Sequence, residues 1–589
     1  MINVLKLFKN LKKTDYAIIF ICIIAMVFQV WIELRLPEYM SEITRLIQTD
    51  GSTMKEILTS GALMLACALG SAASAVFIGY FASKLSASFS QTLREKIFKK
   101  VQKFSINEIK KISTSSLITR TTNDVSQIEM LIAMGLQAMI KAPIMATWAI
   151  SKIINKSAKL SALVAVGVIV LLITVTFIML TVNPLFKKIQ KFTDNINNAT
   201  RENLMGVRVI RAFNAEKFQS EKFGVVNTGI TNTHIIITKT FALIDPIMGS
   251  VMHFLTLGIY FFGAILLVNL SMYNRLILFS DMVVFTSYGI QVIMSFLMLT
   301  MIFMILPRAR VSAGRINEVL NTEESIIGGK IDKPKETGTI EFVNVSFKYP
   351  DADEYVLKNI SFKVNKGETI AFIGSTGSGK STLINLIPRF YDITDGKIFI
   401  DGVDVRDYKL ETLHNIIGYV AQKAFMFTGS VKDNVIFGDN NKKKPTDEEV
   451  NNALEVAQAS DFVNNMEGGI DAHIARGGTN VSGGQKQRLG IARAIVRKPE
   501  IYIFDDTFSA LDYATDARLR KDLKKYTKDS TCLIVASRIG TIINADKIVV
   551  LDKGECVGIG THKELLKNCE IYREIAQSQL SEKELENER

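Results

Sequence analysis

Long apolar runs, separated by charged segments, fill the first half of the chain, whereas the second half alternates short apolar stretches with polar ones. A helix needs about 20 mainly apolar residues to cross the roughly 30 Å hydrocarbon core of a bilayer. Six runs reach that length, so the pattern predicts six membrane-spanning helices. They cover residues 16–36, 57–83, 130–151, 160–186, 247–274 and 282–307.

The connections after the second and fourth predicted spans are long and rich in Lys and Arg. Basic loops are retained on the cytoplasmic side of a membrane, which places both connections in the cytoplasm. Since six is an even number of crossings, both chain termini lie on that side as well. Apolar residues recur three and four positions apart in these connections, as at Ile97, Val101 and Phe104, so we expect the helices to continue beyond the bilayer.

Composition supports a membrane protein and argues against nucleic-acid binding. Hydrophobic residues make up 48% of the chain, and the formal net charge is +12. Lys and Arg flank the apolar runs, as membrane topology alone requires, so the positive charge needs no nucleic acid as partner. The five cysteines show no CxxC spacing and indicate neither a disulfide framework nor a metal site.

Five ionisable residues lie within or beside the predicted spans. Because a charge in lipid is costly unless it faces a cavity, they are candidates for the pathway of a transported molecule. The alternative is that they mark the ends of the spans. They are Glu33, Arg35, Lys141, Asp245 and His253.

The pattern changes after the sixth span. Residues 321–337 are polar and contain glycine, which predicts a linker, and beyond them short apolar strands alternate with helical patterns. That alternation is typical of an α/β domain. We therefore divide the chain into an all-α membrane domain at residues 1–320, the linker, and an α/β domain at residues 338–589.

A glycine-rich segment in the second domain has the order of a phosphate-binding loop. A predicted strand at 369–373 leads directly into it, and an apolar helical segment at 383–387 follows. Its backbone N–H groups would converge on the phosphates of ATP, Lys380 would reach the β and γ phosphates, and the Ser381 hydroxyl would bind Mg²⁺. The predicted ATP-binding residues of this loop are Gly374, Ser375, Thr376, Gly377, Ser378, Gly379, Lys380, Ser381 and Thr382.

Two further segments complete the predicted site. Asp505 ends an apolar strand at 500–504, and an acidic residue in that position beside a phosphate loop can hold the metal ion. A second glycine-rich turn precedes a predicted helix at 486–497 and offers backbone N–H groups to an anion. This turn is Ser482, Gly483, Gly484 and Gln485.

With six spans, a phosphate loop and the Ser-Gly-Gly-Gln sequence, the chain resembles the ATP-binding cassette (ABC) exporter family along nearly its whole length. The resemblance implies a type I exporter, in which a six-helix membrane domain precedes an α/β P-loop nucleotide-binding domain. It also implies that two such cassettes associate head to tail. The segment 482–485 would then complete the ATP site on the opposite chain.

The resemblance assigns roles to further residues. Tyr349 is similar to the aromatic residue that stacks on adenine, and its position relative to the phosphate loop favours that role. The alternative is a core residue, since a strand tyrosine two positions from Phe347 shares its face. Gln422 resembles the glutamine that senses the metal and the attacking water. Asp512 ends a loop, 509–512, that crosses to the opposite site. The basic loops that contain 119–124 and 206–214 resemble the coupling helices, with a solvated helical face as the alternative.

Two positions depart from the family pattern at one chemical step. The family places a glutamate after the metal-binding aspartate and a histidine near the last strands, whereas this chain has Asp506 and Ser537. Aspartate is shorter than glutamate by roughly 1.5 Å, and a misplacement of about 1 Å can cost on the order of a hundredfold in rate. Serine lacks the reach and the positive charge of histidine toward the γ-phosphate.

The resemblance implies an ATP-driven exporter, for which we expect small amphipathic, drug-like or lipid-like molecules as cargo. The two departures predict that this chain is the degenerate-site subunit of a heterodimer. The resemblance is to heterodimeric bacterial multidrug exporters of the plasma membrane, with the nucleotide-binding domain in the cytoplasm. Its own site would bind MgATP and hydrolyse it slowly, and its signature would serve a competent partner chain. The alternatives are a homodimer that uses Asp506 as base, and a nucleotide-gated membrane regulator that does not transport.

Overall fold

The computed structural model describes residues 2–49, 51–154, 156, 158–268, 271–332, 337–438 and 443–580. These residues form two compact units. The first unit comprises Met1–Gln102 and Thr114–Thr322, and the second comprises Lys103–Ser113 and Glu323–Arg589. The predicted linker, 321–337, includes residues 333–336, and the predicted α/β domain includes 581–589; both of these stretches lie outside the described residues.

Helices account for almost all of the first unit. In chain order, the helices up to residue 321 are α1 (Ile2–Phe8), α2 (Lys13–Gln48), α3 (Met54–Val101), α4 (Ile106–Ile112), α5 (Thr114–Thr119), α6 (Val125–Ile154), α7 (Ala158–Ala212), α8 (Glu216–Ala242), α9 (Ile244–Val268) and α10 (Met272–Asn321). Of these, α4 belongs to the second unit. A π-helical turn, Arg120–Asp124, joins α5 to α6.

Within the described residues, six helical stretches are long and apolar enough to cross a membrane, which confirms the predicted number of spans. They are Lys13–Gln48, Met54–Val101, Thr114–Ile154, Ala158–Ala212, Glu216–Val268 and Asn274–Asn321. The fifth predicted span, 247–274, ends too late, because α9 stops at Val268 and α10 begins at Met272. Ser271, the N-cap of α10, is a polar residue that could have marked this boundary in the sequence. Residues 269 and 270 lie outside the described residues.

The long helices of the first unit exceed the bilayer. α7 contains 55 residues, which at about 1.5 Å per residue gives a length of roughly 80 Å. The predicted extension of these helices beyond the hydrocarbon core is therefore present.

Two of the five ionisable candidates near the spans pair with each other. Glu33 on α2 accepts hydrogen bonds from Lys141 on α6 and from Ser71 on α3, each at 2.9 Å. Gln29 also donates to Glu33, at 2.9 Å. Opposite charges that neutralise each other remove most of the cost of placing either one in an apolar helix bundle.

The second unit is built on a six-stranded sheet in the order β12-β11-β3-β10-β9-β6, beside a four-stranded sheet in the order β2-β1-β4-β5 and a two-stranded ribbon, β7-β8. The strands are β1 (Ile340–Phe347), β2 (Leu357–Val364), β3 (Thr369–Gly374), β4 (Asp395–Ile400), β5 (Val403–Asp404), β6 (Ile417–Val420), β7 (Gly429–Ser430), β8 (His473–Ile474), β9 (Ile501–Asp505), β10 (Thr531–Val535), β11 (Lys547–Asp552) and β12 (Glu555–Gly560).

Helices cover this unit, and the sequence of strand and helix confirms the predicted α/β class. They are α11 (Lys380–Leu386), α12 (Leu410–Ile416), α13 (Val431–Val435), α14 (Asp447–Val456), α15 (Ser460–Asn464), α16 (Gly483–Val496), α17 (Tyr513–Tyr526), α18 (Ile539–Ile542), α19 (His562–Asn568) and α20 (Glu570–Gln577). In the large sheet, β3 is parallel to both neighbours, β10 and β11, and β10 is parallel to β9. The carboxyl ends of these parallel strands meet at one edge, where α/β proteins bind ligands.

Candidate nucleotide-binding site

The phosphate loop leaves the carboxyl end of β3 and enters α11. A Cβ at Gly374 would lie 2.0 Å from the carbonyl oxygen of Leu551, and one at Gly379, where φ is +97°, would lie 2.7 Å from Leu357. Larger residues at these two positions would therefore clash with the neighbouring backbone or side chain, which explains the glycines physically.

Lys380 occupies the centre of this loop. Its ammonium group donates hydrogen bonds to the carbonyl oxygens of Gly374 and Ser375, each at 2.8 Å. Burial lowers the pKa of Lys380, and the carboxylates of Asp506 and Asp505 oppose that shift. A positive charge enclosed by a glycine-rich loop at a helix N-terminus is suited to bind phosphate.

The two predicted metal ligands are brought together across the sheet. Asp505 ends β9 and is 4% exposed, and the Ser381 hydroxyl of α11 donates to its carboxylate at 2.9 Å. Burial raises the pKa of Asp505, and the hydrogen bond from Ser381 opposes that rise. A carboxylate and a hydroxyl at one point form the hard oxygen donor set that Mg²⁺ prefers, so these residues fit the ion.

Three residues that the sequence assigned to the hydrolytic step also converge. The Asp506 carboxylate accepts hydrogen bonds from Gln422 Nε2 and from Ser537 Oγ, each at 3.3 Å. Asp506 has φ +44° and ψ +32°, a left-handed conformation that non-glycine residues seldom adopt and that is frequent at functional sites. The backbone thus turns this carboxylate back toward residues from two other segments of the chain.

Tyr349, the predicted adenine-stacking residue, lies beside the first turn of α11. Its hydroxyl is 3.0 Å from the Thr382 hydroxyl, and its ring meets Phe347 and Tyr391 edge to face at 5.0 and 5.3 Å between centroids. Tyr349 is half-buried against the core of this unit. It has therefore both features that the sequence left open, a core contact with Phe347 and a position beside the phosphate loop.

The Ser-Gly-Gly-Gln turn caps α16. The Ser482 hydroxyl accepts from the backbone N–H of Gln485 at 3.3 Å, and the Gln485 side chain accepts from the N–H of Ser482 at 2.8 Å. This capping box begins the helix at Gly483, three residues earlier than predicted. Gly483 and Gly484 leave the first two residues of the helix without side chains.

Asp512 has a local role in this chain. It is the N-cap of α17, where its carboxylate accepts from the backbone N–H of Thr515 at 2.9 Å. That hydrogen bond lowers the pKa of Asp512. The charged form is therefore the one that the helix stabilises.

Sequence reasoning missed a short helix that joins this unit from far along the chain. Ile106 of α4 packs against the core that contains β1, β2 and β3, and Ser105 contacts Ser325 through their hydroxyl groups at 3.0 Å. A capping box of Ser105 and Glu108 begins the helix. The Ser-x-x-Glu spacing was visible in the sequence and could have located it.

The two segments that resemble coupling helices belong to the first unit, and their role stays a prediction. Residues 119–124 form the end of α5 and the π-helical turn, where Arg120 pairs with Glu318 at 2.9 Å and donates to the carbonyl oxygen of Arg315 at 2.9 Å. Residues 206–214 form the end of α7 and the turn after it. Lys103–Ser113, which comes shortly before residues 119–124 in the chain, belongs to the nucleotide-binding unit.

Known families match most of the chain. Residues 19–296 match the family model described as "ABC transporter transmembrane region", and residues 357–509 match the one described as "ABC transporter". An uncharacterised ABC transporter ATP-binding protein of Mycobacterium tuberculosis is 38% identical over 92% of this chain and 93% of its own length.

Two further similarities concern a named relative and a solved structure. The ATP-dependent lipid A-core flippase of Pseudomonas aeruginosa is 31% identical over 83% of this chain and 80% of its own length. A bacterial Atm1-family ABC exporter, solved with ATP bound, superposes with a TM-score of 0.81 over 97% of this chain and 100% of that one, at 22% identity. At that identity the likeness concerns the fold.

Proposed function

We propose that this chain, which belongs to the ABC transporter family, is the degenerate-site subunit of a heterodimeric exporter. The family couples ATP hydrolysis to transport across a membrane, and this chain is an exporter half-transporter that carries both a membrane domain and an ATPase domain. Its proposed specific role is to bind MgATP durably at its own phosphate loop and to hydrolyse it slowly.

The observation that carries this proposal is the contrast around Asp506. The carboxylate is held at 3.3 Å by both Gln422 and Ser537, whereas Lys380, Ser381 and Asp505 retain the donors needed for phosphate and metal. A base one methylene shorter than glutamate stands farther from the attacking water, and a misplacement of about 1 Å can cost on the order of a hundredfold. Serine adds no positive charge to offset that loss.

The residues of the intact half have separate tasks. Lys380 and the loop amides bind and orient the phosphates, and Ser381 and Asp505 hold Mg²⁺. When bound, this ion neutralises charge on the β and γ phosphates. Gln422 and Ser537 restrain the Asp506 carboxylate, so a proton taken from water would pass to an aspartate already committed to two hydrogen bonds.

The turn 482–485 and Asp512 are suited to a site shared with a partner chain. Ser482 and the two glycines present the bare N-terminus of α16, which suits it to a nucleotide phosphate. We place that phosphate in the site of a partner ABC chain whose glutamate and histidine carry out the hydrolysis. Asp512, at the N-terminus of α17, would lie in the segment that crosses to that site.

A cavity in the first unit supports an amphipathic cargo. It has a volume of about 1080 Å³, and its walls combine apolar side chains such as Phe186 and Leu306 with the guanidinium groups of Arg308 and Arg310. A space of this size holds a drug-sized molecule. We propose that small drug-like or lipid-like molecules are exported from the cytoplasmic side of the plasma membrane of a bacterium.

Vanadate-sensitive ATP hydrolysis by the purified full-length chain, with bound nucleotide measured in the same sample, tests the degenerate site. We expect bound MgATP and little turnover, at the level of a Lys380→Met control that reports contaminating ATPases. Rapid turnover that Asp506→Ala abolishes would establish a homodimer with aspartate as base and would overturn the proposal.

A further inference from the structure

Lys110 of α4 lies against the two tyrosines beside the phosphate loop. Its ammonium group donates a hydrogen bond to the Tyr391 hydroxyl at 3.1 Å. It also lies over the Tyr349 ring, 5.3 Å from the centroid. The distance to the Tyr391 centroid is 5.6 Å. All three residues belong to one unit, although Lys110 is separated from both tyrosines by most of the membrane domain in sequence.

Lys110 is itself exposed, but the helix that carries it is held in place. The capping box of Ser105 and Glu108 fixes the start of α4, and Ile106 anchors it to the core. Tyr391 is 4% exposed, so its ring cannot follow a mobile partner. The hydrogen bond to Tyr391 raises the pKa of Lys110 and keeps the ammonium charged. A cation over the face of an aromatic ring, within about 6 Å of its centroid, is attracted to the ring.

The Tyr349 ring is the link between Lys110 and the nucleotide. Its hydroxyl reaches Thr382 in the first turn of α11 at 3.0 Å, and its ring contacts Tyr391 edge to face. The ring is therefore held by the phosphate-loop helix at its hydroxyl, by Tyr391 at its edge and by a cation. A base that stacks on this ring meets a surface whose position Lys110 helps to set.

We infer that Lys110 is a positioning residue for the adenine base, acting through Tyr349, and that it links occupancy of the base site to α4. The inference rests on the proposed function, because it requires Tyr349 to be the residue that stacks on adenine. Linkage is reciprocal: if Lys110 favours the base, then the base favours the docked state of α4 by the same factor. The nucleotide would then be sensed at its base, apart from any signal from the γ-phosphate.

Calorimetric binding to the purified full-length chain, with MgATP and with magnesium tripolyphosphate, separates the base from the phosphates. We expect Lys110→Met to weaken ATP binding about three- to tenfold, the range of one cation–ring contact, and to leave tripolyphosphate binding unchanged. Lys110→Arg, which keeps the cation, should restore ATP binding. Lys111→Met, which removes a neighbouring exposed lysine of the same helix, is the matched control and should behave as the wild type.

Hydrogen exchange of the backbone of α4 provides the second measurement. ATP and ADP should both protect residues 106–112, tripolyphosphate should not, and the protection should be lost in Lys110→Met. An unchanged ATP affinity in that variant, or an equal loss for ATP and tripolyphosphate, would overturn the inference and leave the exporter assignment in place. Failure of the wild-type chain to bind either compound would overturn both.

Discussion

The two halves of the nucleotide site differ in how well they match their chemical tasks. On the phosphate side, Lys380, Ser381 and Asp505 are buried or half-buried. Lys380 donates to the carbonyl oxygen of Gly374 at 2.8 Å, and Ser381 donates to Asp505 at 2.9 Å. On the water side, Gln422 and Ser537 meet Asp506 at 3.3 Å in an exposed position. The first arrangement is suited to hold a ligand, and the second is poorly suited to activate water. Binding and hydrolysis are thus separable properties of this site.

The contrast between the two sides depends first on ATP binding by the phosphate side. Replacing Lys380 with Met removes the charge at the centre of the loop, where an ammonium–phosphate contact is charge-assisted. We expect ATP affinity to fall on the order of a hundredfold or more, as measured by calorimetry. An affinity within twofold of the wild type would mean that the loop does not hold the phosphates.

Restoring the glutamate and histidine of the family on the water side should turn a site that only binds ATP into one that hydrolyses it. The double variant Asp506→Glu and Ser537→His returns the longer carboxylate and the imidazole, and we expect ATP hydrolysis to rise by about tenfold to a hundredfold. The rate of phosphate release measures this hydrolysis. Asp506→Asn with Ser537→His is the control and should stay at the wild-type rate, since it adds the imidazole without a base. Equal rates in both double variants would show that the carboxylate does not limit hydrolysis.

On the phosphate side, the contribution of the metal ligand Asp505 to MgATP affinity can be measured separately. Asp505→Asn keeps the shape of the side chain and removes its charge, so we expect about a tenfold loss of MgATP affinity. In the wild type, chelation of Mg²⁺ should reduce ATP affinity by a similar factor. In the variant, Mg²⁺ chelation should lower ATP affinity little further, because the metal ligand is already altered. If chelation lowered the affinity of the variant as much as that of the wild type, Asp505 would be excluded as a metal ligand.

The smallest expected effect concerns the Tyr349 hydroxyl. Tyr349→Phe removes its contact with Thr382 but keeps the ring, so ATP affinity should change by about twofold, as expected for one neutral hydrogen bond partly replaced by water. Tyr349→Ala should weaken ATP binding more strongly than Tyr349→Phe. Equal affinities for the two variants would assign the ring to the core alone.

Contiguous motifs were predictable, and the contacts between distant segments were not. The loop 374–382 and the six apolar runs are local patterns whose physical requirements lie within a few residues. Asp505 was predictable from its place at the end of an apolar strand, but its hydrogen bond with Ser381 needed the parallel order of β3, β10 and β9. The convergence of Gln422 and Ser537 on one carboxylate likewise depends on strand order.

The packing of α4 on the nucleotide-binding unit could not be predicted from the sequence, for a different reason. Ile106 and Lys110 have the same helical pattern whether they extend a membrane helix, cover a solvated face or pack on another domain. Only the tertiary contacts with the core and with Tyr391 distinguish these cases. Residues 119–124, which resemble a coupling helix, lie in the first unit, where Arg120 contacts α10.

Because α4 is part of the nucleotide-binding unit, that unit is discontinuous, with Thr114–Thr322 inserted between its two pieces. During synthesis α4 is made first and must wait, on the order of ten seconds or longer at about 5 to 20 residues per second, for the sheet on which it packs. A fragment that begins at residue 323 would lack α4, leaving the Ile106 contact surface uncovered and Tyr391 without its ammonium partner. An excised cassette is therefore an incomplete reference for the ATP affinity and the folding stability of the whole chain.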